Sequence, residues 1–168
     1  MWISRIPVPV EINASAHADD DFSKNKSIAE LTDWNIYSPV WAPVSLEDQW
    51  LKLQDKDPFD YAKVERKIPA SKELKVSFDL KAGQNNKGTL QIEFLDENGI
   101  ACSRIELTDD GIFRLKGGSR FANMMKYEAG KVYHVEAVLS TVDRNIQVYV
   151  DGKRVGLRMF YAPVAAVE

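Results

Sequence analysis

Apolar residues recur at every second position along most of the chain, and no stretch carries a convincing stripe at helical spacing. Ile146, Val148 and Val150 alternate with Gln147, Tyr149 and Asp151, while Tyr133, Val135, Ala137 and Leu139 alternate with His134, Glu136, Val138 and Ser140. Successive side chains of a strand point to opposite sides, so each run predicts a strand with one face on a core. The polar tetrad 142–145 between them predicts a hairpin. Asp151-Gly152 predicts a second turn, because glycine adopts positive φ without steric cost and aspartate tolerates it.

Leu74, Val76, Phe78 and Leu80, alternating with Lys75, Ser77, Asp79 and Lys81, form the cleanest strand pattern. Further strands are predicted over 59–68, 90–95, 100–107, 112–116, 119–127 and 154–161. Turn signals rich in Gly, Asn and Asp separate them, and Gly117-Gly118 predicts a corner. Strands recurring about every 10 residues define an all-β chain, a two-sheet antiparallel β-sandwich of the jelly-roll kind. Pro7 and Pro9 remove ladder donors, so residues 1–17 are expected to be an extended, proline-containing segment or linker ahead of a sandwich over 18–168. The apolar opening Trp2-Ile3-Ser4-Arg5-Ile6 suggests packing against something upstream, and hence excision from a longer protein.

Segment 34–43 is the most unusual: Trp34, Tyr37 and Trp41 sit in a proline-bounded run where helix is disfavoured, and Trp50 follows. Aromatic faces match the C–H faces of pyranose rings and bury area with little entropy lost. Trp34 and Trp50 are expected to plug an end of the sandwich, and Tyr37 and Trp41 are candidates for a sugar platform. Arg66 and Lys67 read as solvated.

Composition adds mainly exclusions. A net charge of -3 provides no field for nucleic acid or an anionic membrane. No run approaches the roughly 18 apolar residues of a spanning helix, so membrane insertion is not expected, and the N-terminus lacks a signal-peptide pattern. The single cysteine, Cys102, excludes an internal disulfide and a thiolate zinc cluster. Asp19, Asp20 and Asp21 could offer oxygens to calcium, but the alternating acids and central glycine of an EF-hand loop are absent, which favours a solvated charge run. His17 is isolated. Side chains opposite the core positions are candidates for a glycan-facing surface: Ser77 and Asp79, Gln91 and Glu93, Arg104 and Glu106, His134 and Glu136.

The hairpin opening with Tyr133-His134-Val135 and closing with Val148-Tyr149-Val150-Asp151-Gly152-Lys153 resembles the late hairpin of the concanavalin A-like lectin/glucanase superfamily, laminin-G-like members included. Asn35-Ile36-Tyr37-Ser38-Pro39 and Asp57-Pro58-Phe59-Asp60-Tyr61-Ala62 extend the resemblance to laminin-G-like domains joined to BNR-repeat propeller enzymes, glycosidases and lyases among them. The resemblance implies a concanavalin A-like topology and an extracellular or periplasmic setting. It also implies a last strand returning beside the first, which is expected to be missing or cut short here. Hydrolases of that superfamily use a carboxylate pair in a Glu-x-Asp-x-x-Glu motif. Only Glu93-Phe94-Leu95-Asp96 comes near it, so no catalytic residue is assigned.

The expected role is therefore a non-catalytic carbohydrate-binding or accessory domain of a polysaccharide-processing enzyme, a glycoside hydrolase or a lyase. Its partners would be a polysaccharide or oligosaccharide and a neighbouring catalytic domain. The candidate binding residues are Tyr37, Trp41, Arg104, Glu106, His134 and Glu136. A second class stays open, in which the aromatic N-terminal region packs on a neighbouring domain and never touches sugar. A third has the sandwich lending residues to the neighbour's catalytic cleft.

Overall fold

The structure, a computed structural model, describes residues 18–168. The expected linker 1–17 and His17 lie outside the described residues. Thirteen strands follow two short 3-10 helices, Phe22–Lys24 and Ile28–Glu30: β1 Trp34–Tyr37, β2 Val44–Glu47, β3 Trp50–Leu53, β4 Lys63–Ser71, β5 Glu73–Lys81, β6 Leu90–Leu95, β7 Ala101–Leu107, β8 Ile112–Gly117, β9 Arg120–Lys126, β10 Val132–Ser140, β11 Asn145–Val150, β12 Lys153–Met159 and β13 Val164–Val167. Seven form one antiparallel sheet in the order β1-β4-β13-β6-β7-β8-β9, four form a second in the order β12-β11-β10-β5, and β2 pairs with β3 in a separate hairpin.

Two-residue alternation explains how the sheets meet. Phe94, Ile105, Leu107, Phe113 and Leu115 of the larger sheet pack against Tyr133, Val135, Ala137, Leu139, Ile146, Val148 and Val150 of the smaller one. The predicted inward faces of β10 and β11 are thus the buried ones. Phe113 anchors the contact edge-on to Tyr127 at 5.7 Å and to Tyr133 at 5.8 Å, the offset geometry that aromatic quadrupoles prefer. Both tyrosine hydroxyls are satisfied: Tyr127 donates to the Thr108 carbonyl at 2.7 Å, and Tyr133 accepts from the Glu128 amide at 2.9 Å. The β10–β11 loop spans 141–144, with the Ser140 Oγ accepting from the Asp143 amide. At the next turn Asp151 and Gly152 both have positive φ, 50° and 77°, as that dipeptide predicts.

Three expectations are corrected. The predicted strand 59–68 begins only at Lys63, and Phe59 projects from a loop with 95% of its surface exposed. Asp55 and Asp57 side chains accept from the Asp57 and Phe59 amides, and such local bonds compete with a ladder. The last strand is not missing: β13 lies between β4 and β6, with Val164 and Ala166 fully buried. Arg66 is not solvated. It is 7% exposed and reaches Asp20 at 3.0 Å through Nε and Asp33 at 3.3 Å through Nη2, tying the segment before β1 to the larger sheet.

Candidate functional site

Alternation fixes which side chains leave the sandwich but not from which sheet, and the structure divides the predicted surface in two. Arg104 and Glu106 flank the buried Ile105 and face outward from the larger sheet, together with Gln91 and Glu93. His134 and Glu136 flank the buried Val135 and face outward from the smaller sheet, beside Asp79 and Ser77. The two pairs therefore lie on opposite outer faces of the molecule and cannot grip one sugar together.

On the larger sheet, β6, β7, β8 and β9 align Gln91, Glu106, Arg114 and Asn123 in one row, and Glu93, Arg104, Lys116 and Phe121 in the next. Arg104 meets Glu93 through Nε at 2.5 Å and through Nη2, and reaches the Glu106 Oε1 through Nη1 at 3.1 Å. Burial pulls the Arg104 pKa down, but hydrogen bonds to Glu106 and Glu93 more than offset this and hold it above the ordinary value. Glu106 Oε2 accepts from Arg114 Nε at 2.6 Å, and the Arg114 guanidinium lies 4.4 Å over the Phe121 ring. Both carboxylates are thus held by guanidiniums, which suits a rigid polar platform better than acid–base work. Asp96, the other half of the partial hydrolase motif, caps a turn by accepting from the Asn98 and Ile100 amides.

The smaller sheet's outer face carries simple pairs: His134 Nδ1 lies 2.8 Å from Asp79 Oδ1, and Lys75 Nζ lies 2.7 Å from Glu136. All four side chains are at least a quarter exposed, and such pairs contribute little to stability.

The aromatic candidates gather at the β1 end of the larger sheet. Trp41 is 67% exposed while its neighbour Ala42 is fully buried, and hydrogen bonds pin the loop on both sides. Ser38 Oγ accepts from the Val44 amide at 2.8 Å, and the Trp41 carbonyl accepts from the Lys56 amide at 2.9 Å. Tyr37 packs on Tyr61, 5.6 Å between centroids and tilted by 51°, and donates from its hydroxyl to Asp60 at 3.1 Å. That bond raises the Tyr37 pKa above the usual phenol value. Tyr61 joins Tyr37 in this rim, and Phe59 stands exposed two residues before it, although alternation read both into a strand. The Asp-Pro-x-Asp pattern of 57–60, rich in loop-forming residues, is the signal that could have placed them. Trp34 and Trp50 are half-buried, and Trp34 packs on Phe22 with centroids 5.9 Å apart.

Asp20 and Asp21 are engaged separately, Asp20 with Arg66 and Asp21 by accepting from the Ser23 amide. Among the described residues no group of three or more His, Cys, Asp or Glu side chains could hold a metal ion.

Comparison with known proteins fits this architecture to a class. Residues 34–168 match the model of the family described as "Sialidase-like, CBM domain". The chain belongs to that family, and its role is that of a non-catalytic, carbohydrate-binding accessory domain. A solved structure titled "Sialidase" superimposes with a TM-score of 0.91 at 85% identity over 97% of this chain, which spans only 15% of the length of that protein. A native heptameric SAP-like pentraxin from Limulus polyphemus superimposes with a TM-score of 0.45 at 22% identity, over 60% of this chain and 52% of that one. No curated protein matches. Among the described residues no helix is long and apolar enough to cross a membrane.

Proposed function

We propose that this domain anchors a sialidase-type glycoside hydrolase, acting outside the cytoplasm, to its glycan through the rim formed by Tyr37, Trp41, Phe59 and Tyr61. A hydrolase is favoured over a lyase by the sialidase likeness. The finer concanavalin A-like, laminin-G-like topology fits two antiparallel sheets packed face to face. The observation that carries the reading is that four aromatic residues stand 47%, 67%, 95% and 58% exposed, Tyr37 at the end of β1 and the other three on loops held by backbone and aspartate hydrogen bonds. Such rings bury much area on a sugar with little ordering cost, since their loops are already fixed. Tyr37 has Tyr61 as its ring partner, in a tilted contact.

The test is binding of the chain to a broad panel of immobilised host, plant and algal glycans, with Trp41→Ala and Tyr61→Ala alongside. Loss of binding in folded variants supports the rim. A folded wild type that binds nothing on the panel ends the proposal. A second reading takes the same rim as the surface packed on a neighbouring catalytic domain, favoured by Val40, which is 83% exposed beside Trp41 and carries no polar group for a sugar. It is supported if Trp41→Ala leaves glycan binding intact but loosens the domain from the whole enzyme in limited proteolysis.

A further inference from the structure

The β8–β9 hairpin is chemically unlike the rest of the surface. Its residues 112–126 include Arg114, Lys116, Arg120 and Lys126 and no acidic residue, in a chain whose net charge is -3. Repeated like charge on one hairpin is electrostatically unfavourable unless something compensates it. Among the described residues, carboxylate compensation reaches only Arg114, through Glu106. Among the described residues, Lys116, Arg120 and Lys126 have no carboxylate at salt-bridge distance.

The geometry at Arg114 shows how the hairpin could receive an anion. Glu106 takes the Nε edge at 2.6 Å and Phe121 supports the guanidinium plane at 4.4 Å, so the position of the group is set from below and from the side. The terminal nitrogens make no hydrogen bond among the described residues, which leaves one edge of the donor fork open. Lys116 Nζ lies 5.8 Å from the centroid of the same ring, so the open fork and an unpaired ammonium flank one aromatic group. A fixed fork next to a point charge suits an oxyanion that presents two oxygens to the fork, as a carboxylate or a sulfate ester does. On a carbohydrate-binding domain such a group is borne by an acidic sugar.

We infer that Arg114, Lys116 and Phe121 form an anion-recognition subsite that takes the carboxylate or sulfate of an acidic glycan, separate from the aromatic rim. Arg114 and Lys116 bond to the anion, while Glu106 and Phe121 orient Arg114. The inference rests on the carbohydrate-binding reading and adds to it a class of sugar and a place.

The test measures affinity of the chain, by calorimetry or competition, for sialyllactose, for 3′-sulfated lactose and for lactose, each at low and high salt. Lys116→Ala removes the ammonium, Arg114→Lys removes the donor fork with its contacts to Glu106 and Phe121, both are checked for folding by circular dichroism, and Trp41→Ala probes the rim. The expected result is that an acidic trisaccharide or sulfated lactose binds about tenfold more tightly than lactose and that the preference shrinks with salt. Each hairpin variant should remove most of that preference. Whichever of the carboxylate and sulfate probes gains more identifies the anion. Equal affinity for lactose and both acidic probes, or a preference that survives both variants, overturns the subsite while the rim proposal stands on its response to Trp41→Ala. No binding of any probe or panel glycan overturns both.

Discussion

Glu106 holds Arg114 at 2.6 Å although its own side chain is only 3% exposed. A carboxylate taken that far from water loses several kcal/mol of hydration, and it is tolerated only when charge and hydrogen bonds replace what was lost. Here Arg104 donates at 3.1 Å and Gln91 at 3.2 Å to the other oxygen. Removing the charge with Glu106→Gln leaves Arg114 with no carboxylate among the described residues and Arg104 with Glu93 alone, and is expected to cost about 2–4 kcal/mol. Glu136→Gln is its control, because that ion pair is open to solvent on the smaller sheet and should change stability by no more than about 0.5 kcal/mol. Urea unfolding of both variants decides the point, and equal losses would show that burial of Glu106 contributes nothing special.

Gly117 and Gly156 mark where β12 presses on the larger sheet, and they should respond differently to alanine. A Cβ on Gly117 would lie 2.4 Å from Arg158 Cβ and 3.1 Å from the Met159 carbonyl oxygen, atoms on or next to backbone. A Cβ on Gly156 would lie 2.5 Å from Met124 Sδ and 3.1 Å from Leu115 Cδ2, and the methionine end can swing aside. Overpacking costs about 1–3 kcal/mol in general, so Gly117→Ala is expected at or above the top of that range and Gly156→Ala near the bottom. Thermal unfolding checks the order, which would be refuted by Gly156→Ala being the more damaging.

Arg66 carries the third expectation. It leaves the larger sheet to join Asp20 and Asp33, 46 and 33 residues earlier in the chain. Arg66→Ala should unpin the segment that bears the two 3-10 helices, at a cost on the order of 1 kcal/mol, because the Asp20 and Asp33 carboxylates left behind are 28% and 40% exposed and reach water. Limited proteolysis should then cut within 18–33 sooner than elsewhere. Unchanged cutting there would mean that Arg66 does not hold the segment.

The same arginine shows what alternation could and could not reveal. The faces of β5, β10 and β11 were legible because each has apolar residues at every second position, and that period alone tells inside from outside. The sheet to which each strand belongs was not, since that depends on pairings such as β10 with β5, whose partner residues are 51 to 67 positions apart. This is why His134 and Glu136 could be assigned an outer face but not placed opposite Arg104 and Glu106. Arg66 read as solvated because its carboxylate partners are remote in sequence. Trp41 and Tyr37 were legible as exposed aromatics from their proline-bounded setting, whereas Phe59 and Tyr61 were not, because the aspartate bonds that turn 55–61 into a loop mimic no periodic signal. The short β13 was hidden by its length, with only Val164–Val167 in ladder geometry.

Cys102 supports the last expectation, which concerns pH. Its thiol is half-buried and donates to the Phe94 carbonyl at 3.0 Å. Burial raises its pKa above the ordinary thiol value, against smaller lowering contributions from nearby amides. A raised pKa means that the folded state prefers the protonated thiol. The stability this contributes is complete below the pKa of the unfolded chain and is lost as pH rises through the higher folded value. Thiolate is the reactive form, so alkylation of the native protein near pH 8 should run at least about tenfold slower than in the urea-unfolded chain. Above the ordinary thiol range, wild type should lose stability with pH more steeply than Cys102→Ala. Comparing the two proteins at matched pH separates this loss from titration of the tyrosines and lysines they share. If native and unfolded chains alkylate at the same rate, the thiol is neither shielded nor shifted, and the pH difference between wild type and variant should vanish with it.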